Sequence, residues 1–152
     1  MSKLVLEKCS LGLRSIELIC KGLEDNVSVL HLNLAKNNIS DNAAGYIANM
    51  VTSNHHIHSL DLNDNNLRGN GGTLIFTQML VNDCIVELDL SWNSIGGQGC
   101  NSTAAFAEVL LTNKSLKHLD ISYNKFTLSE CEILAEALAH NHTILGLHVA
   151  GN

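Results

Sequence analysis

Five asparagines, Asn37, Asn65, Asn93, Asn124 and Asn152, mark the same place in five copies of one pattern. The copies are VSVLHLNLAKNNI (27–39), HHIHSLDLNDNNL (55–67), DCIVELDLSWNSI (83–95), KSLKHLDISYNKF (114–126) and HTILGLHVAGN (142–152). Each carries L-x-x-L-x-L-x-x-N with aliphatic substitutions, and the asparagines lie 28, 28, 31 and 28 residues apart. A fixed period of this length restricts the chain to a stack of like units, because one unit cannot bury its apolar face alone. Stepping back 28 residues from Asn37 lands on Cys9, with Met1, Leu4, Leu6 and Leu11 in the other pattern positions. Six strand segments follow, near 1–9, 29–37, 57–65, 85–93, 116–124 and 144–152, within a single domain spanning 1–152.

Between the strand segments a second pattern repeats. Ile19-Cys20-Leu23, Ile47-Ala48-Val51, Ile75-Phe76-Met79, Phe106-Ala107-Leu110 and Leu134-Ala135-Leu138 share the i, i+1, i+4 spacing of one apolar helix face. Asn26, Asn54, Asn82, Asn113 and Asn141 fall just after these faces, where a left-handed residue is expected to end each helix. Ser129-x-x-Glu132 is expected to open the last helix as a capping box. The third repeat holds three extra residues within Gly96–Thr103, expected to be a loop insertion or a loop on the contact rim.

Paired strands lie about 4.7–4.9 Å apart. Packed helices need about 8–10 Å. Each unit is therefore a wedge, and stacked wedges bend with the strands on the inner side. The ladder Cys9, Asn37, Asn65, Asn93, Asn124 and Asn152 is expected beneath the strand ends, its amides bonding the turn backbone. The thiol of Cys9 is only a weak donor, so the first repeat is expected to be looser.

The 28-residue period, the L-x-x-L-x-L-x-x-N-x-Φ core and the run-in Asn113-Lys114-Ser115-Leu116 resemble ribonuclease-inhibitor-like leucine-rich repeats over essentially the whole chain. Asn141-His142-Thr143-Ile144 shows the same run-in with Ile for Leu. The resemblance implies an α/β solenoid, a right-handed superhelix bent into a horseshoe arc, with a parallel sheet on the concave face and helices on the convex face. It also implies a scaffold that holds a protein partner on the concave face. The alternatives it offers are the regulatory or sensor segment of a larger receptor or enzyme, and a GTPase-activating protein.

Catalytic residues, metal ligands and cofactors are not expected: the chain has no P-loop, no H-E-x-x-H and no G-x-S-x-G. The net charge of −6 disfavours nucleic acid and anionic membrane as partners. With no apolar run long enough to span a bilayer, no visible signal peptide and five scattered cysteines, a reduced, cytoplasmic setting is expected. The chain opens inside a strand motif and stops on Asn152, so it reads as a piece of a longer stack, with end-to-end self-association as a further expectation.

Residues between the pattern leucines point outward. Four residues before each marker stand Val5, Asn33, Asp61, Asp89, Asp120 and His148. Asp61, Asp89 and Asp120 are expected to form an acidic stripe, reinforced by Glu87 and Asp64, suited to a partner with a basic surface. Trp92 and Tyr123 occupy one position in adjacent repeats and are expected side by side at the strand exits as anchors. Two readings compete for these residues. L-D-L-S is ordinary wording for such a repeat, and the two rings could simply cover a neighbouring turn.

Overall fold

In the computed structural model, residues 2–97 and 101–152 are described. Among these residues six strands and five helices alternate: β1 (Lys3–Val5), α1 (Leu13–Leu23), β2 (His31–Asn33), α2 (Asp41–Ser53), β3 (Ser59–Asp61), α3 (Gly69–Met79), β4 (Glu87–Asp89), α4 (Ser102–Thr112), β5 (His118–Asp120), α5 (Leu128–Ala139) and β6 (Gly146–His148). The strands form one open parallel sheet in sequence order, β1 to β6. Every strand lies inside one of the six expected segments.

The repeat fixes the register. Leu4, Leu32, Leu60, Leu88, Leu119 and Leu147 stand opposite one another across the sheet. Leu32, Leu60, Leu88 and Leu119 are buried, whereas Leu4 and Leu147 on the edge strands are only partly covered. The helices seal the other side of the core with Cys20, Ile47, Ile75, Phe106 and Leu134. At its centre the rings of Phe76 and Phe106 stack at 4.7 Å.

Two asparagine ladders, one at each end of the strands, satisfy the backbone that the short strands leave over. Beyond the strands, Asn65 Nδ2 donates to the carbonyls of Leu34, Leu62 and Asn63, while its Oδ1 accepts from the amides of Asn37 and Ile39. Asn37, Asn93, Asn124 and Asn152 repeat the arrangement in whole or part. The thiol of Cys9, in their column, reaches only the carbonyl of Glu7, at 3.4 Å, and the residue is exposed.

The second ladder, before the strands, departs from expectation. Asn54 and Asn113 have extended backbones, with φ −87° and −68°, and none of the five residues is left-handed. Their side chains do the work instead. Asn54 Oδ1 accepts from His56 and Ile57, and its Nδ2 reaches back 2.6 Å to the carbonyl of Leu23 in the previous repeat. The amide that ends one helix is thus anchored to the end of the helix before it.

Left-handed residues flank the markers: Lys8, Lys36, Asp64, Trp92 and Tyr123 stand one place before them, with φ between 50° and 56°, and Ser10, Asn38 and Lys125 one place after, with φ between 52° and 64°. Gly151 holds the place before Asn152 with φ 67°.

The capping box of α5 also differs. It is Thr127 with Glu130, not Ser129 with Glu132. The Glu130 carboxylate also accepts from the Gly97 amide and the Thr103 hydroxyl, which ties the inserted segment of the third repeat to α5. Burial pushes the Glu130 carboxyl upward, but the bonds from Thr127, Gly97 and Thr103 outweigh it and hold the group below the usual glutamate range. Gln98, Gly99 and Cys100 of the insertion lie outside the described residues. Among the described residues, no helix is long and apolar enough to cross a membrane.

Candidate binding face

The inner face of the sheet carries the charge. The register sets Asn33, Asp61, Asp89, Asp120 and His148 opposite one another on successive strands. Asp61, Asp89 and Asp120, with Glu87, His118 and His148, line a shallow hollow of about 330 Å³.

Each aspartate has a divided role. Oδ1 of Asp61 accepts from the amide of Asn63 at 2.9 Å, Oδ1 of Asp89 from the amide of Ser91 at 2.8 Å, and Oδ1 of Asp120 from the amide of Ser122 at 2.8 Å. These bonds make the turn that leaves the strand. Asn33 makes the same bond to Ala35, at 2.9 Å, with an uncharged amide. The turn therefore needs an oxygen at this position, not a negative charge.

The second oxygens remain for other partners. Oδ2 of Asp120 lies 3.3 Å from Nδ1 of His148. Burial raises the Asp61 carboxyl above its ordinary value, and the Asp89 charge adds to the rise against the Asn63 amide bond. Carboxylates on adjacent strands repel one another.

The second feature lies at the strand exits. The rings of Trp92 and Tyr123 stack with centroids 4.0 Å apart and planes 18° from parallel. They remain 54% and 42% exposed, so core burial does not account for them. Backbone preference does not either, since a left-handed conformation costs a residue with a Cβ about 1–2 kcal/mol. Asp64 stands at the same position one repeat earlier, exposed, and Lys36 one repeat before that. Lys36 Nζ pairs with the Glu7 carboxylate at 2.6 Å.

The expected binding residues thus form two groups. Asp61, Glu87, Asp89 and Asp120 share the hollow. Asp64, Trp92 and Tyr123 stand apart from it in the exit column. The histidines His118 and His148 join the acidic group, a juxtaposition visible in their repeat positions.

One apolar feature escaped the pattern. Phe106, Leu110, Phe126, Leu134, Leu138 and Leu147 border a groove of about 270 Å³ at the C-terminal end of the stack, where among the described residues no further helix covers α5. Its signal lies in the repeat itself, because these are the positions that meet the next helix elsewhere.

A family model, Leucine Rich repeat, matches residues 25–48, 53–76, 81–102 and 112–129, more than half of the chain. No curated protein matches the sequence. Among solved structures, the chain is similar to leiomodin-1 actin-binding site 2, at 25% identity and a TM-score of 0.77 over 93% of this chain and 80% of that one. It also shares the fold of the tropomodulin C-terminal domain of Caenorhabditis elegans, at 18% identity and a TM-score of 0.77 over 93% and 84% of the two chains. With four matched repeats stacked on one open parallel sheet, the chain belongs to the leucine-rich repeat family, whose repeats serve as protein-interaction scaffolds.

Proposed function

We propose that the inner face of the sheet holds a basic segment of a protein partner. Asp61, Asp89, Asp120 and Glu87 take its Lys or Arg side chains, and Trp92 and Tyr123 act as anchors at the rim beside Asp64. The observation that carries this reading is the equivalence of Asn33 with the three aspartates. The turn bond is made equally by an amide, so three negative charges stand in a row that the fold does not require. A partner's cations would relieve their mutual repulsion.

The same equivalence supplies a clean test. In the triple variant Asp61→Asn, Asp89→Asn, Asp120→Asn, each turn keeps its acceptor oxygen. The far-ultraviolet circular dichroism spectrum is expected to be unchanged and the melting temperature equal or higher. Affinity for a lysine- and arginine-rich peptide, read by titration calorimetry, is expected to fall about tenfold or more, with a flatter salt dependence. Equal affinity of the folded variant and the parent would sink the proposal.

Actin is a specific candidate for the partner, because the neighbour at 25% identity is itself an actin-binding site. Co-sedimentation with filamentous actin is expected to bring the chain into the pellet and to leave the triple variant in the supernatant. A chain that stays in the supernatant at micromolar actin rejects actin while leaving the basic-segment reading intact.

A further inference from the structure

We propose that the exit column headed by Trp92 is an arginine-selective subsite, which takes a guanidinium flat against the free indole face with Asp64 as its counter-charge. The inference rests on the reading of the inner face as a dock for a basic segment.

Trp92 is 54% exposed and stacks on Tyr123 with one of its faces. Tyr123 is covered by Trp92 on one side. On its other side the ring lies against Gly151, where a Cβ would collide with ring carbons Cδ1 and Cε1. Glycine at 151 therefore does two things: it takes the left-handed backbone, φ 67°, and it lets the Tyr123 ring close over it. The ladder is backed by backbone at one end and open at the other. The open face is that of Trp92, directed toward the repeat that carries Asp64 at the equivalent position.

The surroundings of Asp64 favour a cation from outside. Among the described residues Asp64 makes no ion pair. The cation next to it in the column, Lys36, is engaged with Glu7 at 2.6 Å. Lys36 also acts on Asp64 through its charge but makes no ion pair with it, and an exposed indole beside a carboxylate without a direct ion pair attracts a cation by both its quadrupole and its charge. A guanidinium suits this place better than an ammonium. It is planar, weakly hydrated and able to stack on the ring while its edge donates to the carboxylate, whereas an ammonium holds its water more strongly.

The distance to the acidic row sets the reach of the segment. Trp92 lies three residues beyond Asp89 along the chain, so their Cα atoms are separated by no more than about 10 Å. An extended segment with basic residues two or three apart spans this distance, one arginine on Trp92 and the next basic side chain on Asp89 or Asp120.

Trp92 is the sole tryptophan of the chain, so its fluorescence reports on this subsite alone. The probes are two ten-residue Gly/Ser peptides of equal charge, one with three arginines and one with three lysines. The arginine peptide is expected to bind about tenfold tighter by calorimetry and to change the Trp92 emission on binding. In Trp92→Leu, checked for folding by circular dichroism, the two peptides are expected to bind equally, at the affinity the lysine peptide has for the parent. If both peptides bind the parent equally and the emission does not move, the subsite is overturned while the acidic dock stands. If neither binds, the dock fails and the subsite with it.

Discussion

Replacing Asn65 by alanine is expected to destabilise the chain by about 2–6 kcal/mol, the cost of leaving two buried amide donors without acceptors. The reasoning follows the bonds one by one. Asn65 Oδ1 accepts from the amides of Asn37 and Ile39, at 3.0 and 2.9 Å, and both bonds are buried. Alanine leaves nothing in their place. The three carbonyls that Asn65 Nδ2 serves fare better. Leu34 keeps the amide of Asn37, Leu62 keeps that of Asn93, and Asn63 keeps the backbone amide of Lys36. The ladder is built so that each pattern carbonyl receives side chains from two repeats, and the unshared burden falls on the acceptor oxygen.

The gradient along the stack is part of the expectation. Asn152→Ala removes the acceptor for the amides of Asn124 and Phe126 at an end where those bonds are only part-buried and Asn152 itself is exposed. Water replaces the lost oxygen there, and the cost is expected to be about 1 kcal/mol or less. Urea unfolding of the two variants checks both values. A cost at Asn65 no greater than at Asn152 would show that the ladder is not what joins the repeats.

The ladder was legible in the chain because its period is strict. Its partners were legible in kind, since an amide placed beyond a three-residue strand faces turn backbone. Other features depended on contacts that no local pattern encodes. Lys8, Lys36, Trp92 and Tyr123 are not residues that choose a left-handed backbone. They adopt it because their amides bond the next repeat, as from Lys8 to Ala35 and from Trp92 to Ser122. Glu130 and Glu132 both stand three residues after a hydroxyl, so local spacing does not choose between them. The carboxylate that also reaches Gly97 and Thr103 wins the cap, and those partners lie 33 and 27 residues away. The helix-end asparagines stand where the pattern puts them, but Asn54 and Asn113 keep an extended backbone and bond the previous repeat through their side chains.

The acidic row was readable as a row but not as a surplus. Asn33, in the same column, was the available signal: one uncharged member shows which part of an aspartate the turn uses. The stacked pair at Trp92 and Tyr123 was readable as a neighbourhood. What closes one end of that stack is a glycine in the next repeat, a contact that no local pattern encodes.

Phe106→Ala is expected to cost about 3–5 kcal/mol, the range for deleting a fully buried aromatic side chain. The ring is 0% exposed and stands between two others, with Phe76 at 4.7 Å and 11° and Phe126 at 6.3 Å and 42°. Its column in the other helices is filled by Ile19, Ile47, Ile75 and Leu134, so the stack elsewhere closes around an aliphatic side chain. Phe106→Leu is therefore expected to cost only about 1 kcal/mol, because leucine keeps most of the volume at a place that isoleucine or leucine fills in the other helices. Alanine leaves a void that the neighbours cannot fill, since α4 is held by α3 on one side and α5 on the other. The loss also opens the core toward the C-terminal groove, which Phe106 already borders. For a chain of this size a loss of 3–5 kcal/mol lowers the melting temperature by about 6–20 °C, and calorimetry of the two variants separates them. If alanine and leucine melt together, filling this place contributes nothing, and the cavity argument fails.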